Sequence, residues 1–71
     1  MKGGYQVNLA LLKMKRKSLG VTQSDVASVF QYTRQNYSAK EKGIQNFKLS
    51  EIKRLKELFD LTDHEVVEIF L

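Results

Sequence analysis

The sequence has no cysteine and no proline among its 71 residues, and it has one histidine. Without cysteine the chain forms neither a disulfide nor a thiolate zinc site, and a single imidazole does not make a metal cage. We therefore expect no metal and no cofactor. Apolar runs of roughly 18 residues, the length that spans a bilayer, are also missing. We expect a cytoplasmic protein with no membrane partner.

Basic and acidic residues are separated along the chain. Residues 1–48 contain nine basic and two acidic side chains, a net charge of +7. Residues 49–71 contain three basic and six acidic side chains, a net charge of −3. A clustered basic surface attracts polyanions such as nucleic acid. We expect the basic part to face such a partner and the acidic part to face away from it.

Apolar residues recur at helical spacing. Val26, Val29 and Phe30, for example, follow the i, i+3, i+4 pattern of one helical face. The patterns predict an all-α fold, a compact bundle of five short helices in one domain over residues 7–71. The helices, with their N-caps, are predicted at residues 7–19, 22–30, 33–41, 50–59 and 62–71. Residues 1–6 contain two adjacent glycines with high backbone freedom, and we expect a flexible N-terminal segment there.

Hydroxyl side chains mark where the predicted helices begin. Thr22 with Asp25, and Thr62 with Glu65, have the three-residue spacing of a capping box, in which each side chain accepts a hydrogen bond from the other residue's backbone N–H. The third helix has one strong apolar residue and is otherwise polar or small, so neighbours must hold it and most of its surface is free for contacts. Two further N-caps are predicted at Thr33 and Ser50.

Residues 23–42 match the pattern of a helix-turn-helix. The motif needs a small residue where its two helices cross, and Ala27 is in that place. It needs a turn of three or four residues, and residues 30–33 fit. Its second helix must present polar side chains outward, as the third predicted helix does. The inner faces are filled by Val26, Phe30, Tyr32 and Tyr37.

Two runs carry a resemblance to a known family. The run from Leu12 to Ala27 contains Gly-Val-Thr-Gln, and the run from Thr33 to Gly43 ends in Glu-Lys-Gly. Together they resemble Cro- and phage-repressor-type helix-turn-helix domains over roughly residues 9–71. The resemblance implies a lambda-repressor-like fold and a sequence-specific DNA-binding regulator in a bacterial cytoplasm or nucleoid. Separately, a 71-residue chain with one histidine has little room for an enclosed active site, and the residues offer no set of acid, base and nucleophile, so we do not expect an enzyme.

The sequence departs from the family pattern at two positions. Gln31 stands where the family usually has glycine, so it must accept a left-handed backbone or the turn must differ locally. Lys40 stands where the family is often apolar. Its stem is expected along the core, with its ammonium group reaching solvent or a phosphate.

The resemblance assigns DNA contacts to the third helix and to the residues around it. Glutamine and asparagine amides match the major-groove edge of adenine, arginine matches guanine, and an alanine methyl suits the methyl of thymine. The base-reading residues are predicted to be Arg34, Gln35, Asn36, Ser38 and Ala39. The contacts to the DNA backbone are predicted to be Gln23, Thr33, Lys40, Lys42 and Lys48.

Two further sets of residues are predicted to support this function. The resemblance implies that Arg16 and Glu41 form a structural ion pair between the first helix and the end of the third. The last helix ends in apolar residues, and any surplus over the core would suit a symmetric partner. We expect a homodimer on operator DNA, with the free protein either monomeric or dimeric. The dimer contact is predicted at Val67, Phe70 and Leu71.

The favoured function is a Cro-like repressor of a phage or similar element that occupies operators in double-stranded DNA. The same fold also serves protein-interaction modules such as antitoxins, although no toxin-binding tail is evident. A third hypothesis is a non-specific nucleic-acid binder.

Overall fold

The computed structural model describes residues 7–71, and the flexible segment predicted for residues 1–6 lies outside them. The described part contains five α-helices and no strand. They are α1 (Leu9–Ser18), α2 (Gln23–Phe30), α3 (Arg34–Glu41), α4 (Leu49–Leu58) and α5 (Asp63–Phe70). This confirms the predicted all-α bundle.

Capping boxes begin α2 and α5. The Thr22 hydroxyl accepts the backbone N–H of Asp25 at 3.0 Å, and the Asp25 carboxylate accepts the N–H of Thr22 at 2.9 Å. Thr62 and Glu65 repeat the arrangement with distances of 3.1 and 2.9 Å. Both boxes agree with the sequence prediction, and they satisfy N–H groups that have no partner inside the helix.

The starts of α1 and α4 differ from the prediction. Asn8 caps α1, so the helix begins two residues later than expected. The prediction of Ser50 as an N-cap is wrong because Ser50 lies within α4. Lys48 occupies the cap position instead, and its backbone N–H donates to Glu51 Oε1 at 2.7 Å. The cap is therefore made by a carboxylate inside the helix, not by a hydroxyl before it.

The turn between α2 and α3 depends on a left-handed residue. Gln31 has φ 60° and ψ 34°, a conformation that residues other than glycine seldom adopt. The next residue, Tyr32, donates its backbone N–H to the carbonyl of Ala27 at 2.8 Å. The turn thus has the geometry that the family's glycine would supply, and it folds α3 back against α2.

The apolar core joins the helices around Tyr37 of α3. The Tyr37 ring meets Phe47 edge-on at 6.4 Å, and Phe47 meets Phe70 of α5 at 5.6 Å. Phe70 is 1% exposed, so its assignment to a dimer contact is wrong. Its ring closes the monomer core. Val29, which shares a predicted helical face with Val26 and Phe30, is exposed, and so is Leu49 at the start of α4.

Candidate nucleic-acid interface

The helix-turn-helix is formed by α2 and α3, which pack directly on each other. Ala27 is buried, in agreement with the small residue that the crossing requires. On α3, Tyr37 points fully into the core and anchors the helix. The opposite face of this short helix is left on the surface.

That outward face carries four of the five predicted base-reading residues. Arg34 and Gln35 are exposed, whereas Asn36 and Ala39 are half-buried. Ser38 differs from the prediction, because only 8% of it is exposed. It is one of the residues that line a depression beside Arg34, Gln35 and Ala39. The surface that α3 offers is therefore made mainly by its first turn and by Ala39.

The exposed charges on α3 and the following segment are all positive. Arg34, Lys42 and Lys48 are exposed, and the anionic residue of α3, Glu41, is buried. The nearby Glu51 at the start of α4 is buried as well. Each of these two carboxylates is paired with a buried cation. The arrangement hides negative charge from the face that would meet a polyanion.

The structure brings Arg16 and Glu41 together as a buried ion pair. Arg16 Nε donates to Glu41 Oε2 at 2.7 Å, and Nη2 lies 3.3 Å from Oε1. The remaining Arg16 Nη1 donates to the carbonyl of Val21 at 2.9 Å. A single side chain from α1 thus holds both the segment before α2 and the end of α3.

Gln23 makes a contact that the sequence did not predict. Its amide Nε2 donates to Glu41 Oε1 at 3.0 Å, so the first residue of α2 is tied to the last residue of α3. Gln23 remains half-buried. It also lines an open depression of about 380 Å³ together with Lys17 and Arg34. The residue predicted to touch the DNA backbone therefore sits beside two cations.

Opposing effects act on the ionisation of Glu41. Burial raises the pKa of this carboxyl, but the hydrogen bonds from Arg16 and Gln23, the neighbouring Tyr37 hydroxyl and the charge of Arg16 together outweigh burial and leave the pKa below its usual value of 4.5. Burial, followed by the nearby Glu41 carboxylate, raises the pKa of Tyr37. The Tyr37 hydroxyl is buried and has no partner of acceptable hydrogen-bond geometry among the described residues.

Lys40 is not available to a phosphate, so its assignment as a DNA backbone contact is wrong. It is 6% exposed, and its Nζ lies 3.3 Å from Glu51 Oε2. Nζ also donates to the carbonyl of Asn46 at 3.1 Å and lies 5.9 Å from the centre of the Tyr32 ring. The stem lies along the core as predicted, but the ammonium group meets an internal carboxylate instead of solvent.

Glu51 is the centre of this second buried network. The Tyr32 hydroxyl donates to Glu51 Oε2 at 2.6 Å, and the Lys48 backbone N–H donates to the other oxygen. Burial raises the pKa of Glu51, but these bonds and Lys40 outweigh it, so the pKa lies below its usual value. The hydrogen bond to Glu51 raises the pKa of Tyr32. The network joins the turn, α3 and the start of α4.

Sequence reasoning missed this network, although two signals for it were present. One was a lysine at an inward position of the third helix, which requires a buried anion. The other was a glutamate three residues after Lys48, which is the spacing of a capping box. The remaining predicted backbone contacts are on the surface: Thr33, Lys42 and Lys48. Thr33 also caps α3, accepting the N–H of Asn36 at 3.1 Å.

The fold and this surface define a DNA-binding protein of the helix-turn-helix class. A comparison with family models matches residues 12–66 to the family described as Helix-turn-helix. The chain belongs to that family, and it is a DNA-binding regulator. Comparisons with curated proteins and with solved structures gave no match. No helix within residues 7–71 has the length and apolar character needed to cross a membrane.

Proposed function

We propose that this protein is a sequence-specific, Cro-like repressor of a phage or related element, acting in a bacterial cytoplasm by occupying operators through the major groove. The observation that carries the proposal is the surface of α3. This helix buries Tyr37 and both of its inward-facing ionic groups, Lys40 and Glu41, and turns Arg34 and Gln35 outward. A helix with that division of faces presents only neutral polar groups and cations to DNA.

The base contacts follow from the chemistry of the outward side chains. Gln35 and Asn36 each carry a paired donor and acceptor, which matches the N6 and N7 edge of adenine. Arg34 carries a forked donor that matches guanine. Ala39 offers a methyl group, which suits the methyl of thymine. These residues constitute the proposed reading set.

Contacts to DNA phosphates would hold α3 in a fixed position relative to the bases. We assign them to Gln23, Thr33, Lys42 and Lys48. The depression beside Gln23 supports this assignment, because Lys17 also lines it and the N-terminus of α2 opens there. Backbone N–H groups at a helix start, together with cations, favour an anion. Thr33 retains a hydroxyl proton that can be donated to a phosphate, because its oxygen serves as an acceptor within α3.

The proposed active species on DNA is a homodimer. Val67 and Leu71, at the end of the chain described here, are exposed apolar side chains. They support a symmetric contact, since two-fold dimers read two half-sites about one helical turn apart. Sedimentation with and without operator DNA tests this point, and a single protein chain per duplex at saturation would contradict it.

Selection from random duplexes tests the function as a whole. We expect a consensus with two related half-sites and an affinity that falls as salt increases. Gln35→Ala should lose about 1–3 kcal/mol at one base position while other positions keep their preference. Equal binding of selected and scrambled duplexes at both low and high salt would overturn the proposal and favour a non-specific binder.

A further inference from the structure

The segment between α3 and α4 is fixed to α3 by its backbone in its first part. The N–H of Ile44, for example, donates to the carbonyl of Ala39 at 2.9 Å. In the described part of the chain, no backbone–backbone hydrogen bond joins residues 46–48 to α3. Lys48, which lies on the surface at the end of this segment, therefore needs other contacts to keep a fixed position relative to the reading set.

Side chains hold the second part of the segment. Lys40 Nζ donates to the carbonyl of Asn46 at 3.1 Å. Glu51 Oε1 accepts the backbone N–H of Lys48 at 2.7 Å. Between these two points the ring of Phe47 packs into the aromatic core. The ring fixes one point of the segment, and the two polar contacts fix the backbone on either side of it.

Glu51 can make its contact because its charge is neutralised inside the protein. It is 3% exposed, so it does not itself meet DNA. Its Oε2 lies 3.3 Å from Lys40 Nζ and accepts the Tyr32 hydroxyl at 2.6 Å. A buried carboxylate without such partners would be costly. The inward lysine, which departs from the family pattern, thus permits a carboxylate directly behind a surface that must attract phosphates.

We propose that Glu51 is a positioning residue for DNA binding, which holds the backbone of Lys48 so that the Lys48 ammonium group meets a phosphate while α3 lies in the major groove. The inference rests on the proposed function, which assigns Lys48 to the DNA backbone. Lys40 is the counter-charge of Glu51 in this arrangement and is itself buried. The effect of the Glu51 acceptor on DNA binding must therefore pass through Lys48.

Two double variants separate the acceptor from the charge. Lys40→Met/Glu51→Gln is the acceptor-retaining variant, because an amide carbonyl can still accept the Lys48 N–H. Lys40→Met/Glu51→Leu is the acceptor-free variant. Both remove the buried ion pair, and neither leaves a buried charge unpaired. Replacing such a pair by uncharged residues of similar volume is often neutral or stabilising, so both variants should fold, and thermal melts check this.

The measurement combines each protein with Lys48→Ala and follows the slope of log affinity against log salt on the selected consensus duplex. In the wild-type protein, Lys48→Ala should reduce the slope by about 0.9, the value for one phosphate contact. The acceptor-retaining variant should show the same reduction. In the acceptor-free variant the slope should already be lower, and Lys48→Ala should change it by less than half of about 0.9.

Lys42→Ala is the matched control. Lys42 is also an exposed lysine after α3, but its backbone N–H donates to the carbonyl of Ser38 at 3.0 Å and not to Glu51. Effects at independent positions add, whereas effects that pass through a shared partner do not. Lys42→Ala should therefore reduce the slope by the same amount in the wild-type protein and in both double variants.

Amide hydrogen exchange supplies a second measurement that needs no variant to fold. The Lys48 N–H of the wild-type protein should be protected, since it donates to a buried carboxylate. Exchange of this N–H at the rate of a free amide would overturn the inference.

The outcomes distinguish failure of this inference from failure of the proposed function. If Lys48→Ala reduces the slope equally in all three proteins, or if the two double variants behave alike, the acceptor of Glu51 does not position Lys48 and the inference is wrong, while the proposed function stands. If Lys48→Ala leaves the wild-type slope unchanged, the assignment of Lys48 to a phosphate fails and the inference with it. Failure to select any consensus overturns the proposed function itself.

Discussion

Arg16 and Glu41 lie 2.7 Å apart between Nε and Oε2, and both side chains are buried. The pair joins α1 to the last residue of α3, and Gln23 adds a third group from the start of α2. A buried charge pair with several hydrogen bonds fixes orientation more than it adds stability. We therefore infer that the Arg16–Glu41 ion pair fixes the orientation of α3 relative to the rest of the domain.

Removing one partner of the Arg16–Glu41 ion pair should lower the free energy of unfolding. Glu41→Gln leaves the Arg16 guanidinium buried without its counter-charge, and we expect a loss of about 3–5 kcal/mol in the free energy of unfolding. Urea unfolding followed by circular dichroism measures the effect. The matched control is Glu57→Gln, which breaks the exposed pair with Arg54 and should cost less than about 1 kcal/mol. Equal losses in the two variants would contradict a buried role for Glu41.

The two described tyrosines should respond differently to loss of the hydroxyl. Tyr32→Phe removes the donor to Glu51 and should cost about 1.5–3 kcal/mol, because the bond is made to a charged group. Tyr37→Phe removes a buried hydroxyl that has no partner of acceptable hydrogen-bond geometry within residues 7–71, and we expect a change of about zero or a slight gain. Chemical denaturation of both variants under one condition makes the comparison. A larger loss for Tyr37→Phe would show that its hydroxyl is bonded.

Glycine at position 31 should stabilise the turn. The left-handed backbone at this position costs a residue with a side chain about 1–2 kcal/mol. Glycine avoids that cost, but its greater conformational freedom in the unfolded chain offsets part of the gain. Gln31→Gly should therefore gain about 0.5–1 kcal/mol. Asp60 also has positive φ, and Asp60→Gly should gain less, since aspartate tolerates this conformation better. Thermal melts rank the two variants, and Ser28→Gly, within α2, should instead lower the melting temperature.

Acid should destabilise the domain through Glu41 and Glu51. Each has a pKa below its usual value of 4.5 in the folded state. As pH falls below about 4.5, the unfolded chain takes up protons before the folded protein does, so the free energy of unfolding decreases until the folded pKa values are passed. Above that window the stabilisation is fully present. Urea midpoints between pH 7 and pH 3 measure the slope.

Charge-neutral variants identify which carboxylates cause the acid response. Glu51→Gln should show a shallower decrease in stability below pH 4.5 than the wild-type protein, because one of the carboxyls whose pKa is lowered by folding is gone. Glu57→Gln, at an exposed position, should keep the wild-type slope. An unchanged slope in Glu51→Gln would mean that its carboxyl does not couple to folding.

Substitutions of Lys40 and of Lys42 should have different effects on the salt dependence of DNA binding. Lys42→Ala removes an exposed cation and should reduce the slope of log affinity against log salt by about 0.9, the value for one phosphate contact. Lys40→Met removes a buried cation that contacts Glu51 and Asn46, so the slope should stay unchanged. Binding is compared where thermal melts show both variants folded. A reduced slope in Lys40→Met would mean that its ammonium group reaches a phosphate.

The spacing of residues close together in the chain was sufficient to predict much of the fold. The capping boxes at Thr22 and Thr62 and the turn at Gln31 depend on residues that are near neighbours in the chain, so a one-dimensional pattern contains them. The start of α4 was missed because its cap is a backbone N–H bonded to Glu51, and no hydroxyl marks it. Arg16 and Glu41, 25 residues apart, were paired through the family resemblance and not through spacing.

The sequence by itself determined that this chain is a helix-turn-helix domain, which helix turns a polar face outward, and where most helices begin. These properties follow from short-range periodicity and from side chains that bond to their own backbone. Only the tertiary structure decided that Lys40 turns inward and that Phe70 closes the core. Lys40 meets Glu51 and Tyr32, and Tyr32 lies 19 residues before Glu51. Which element covers a given face depends on packing between distant segments, and no local pattern specifies it.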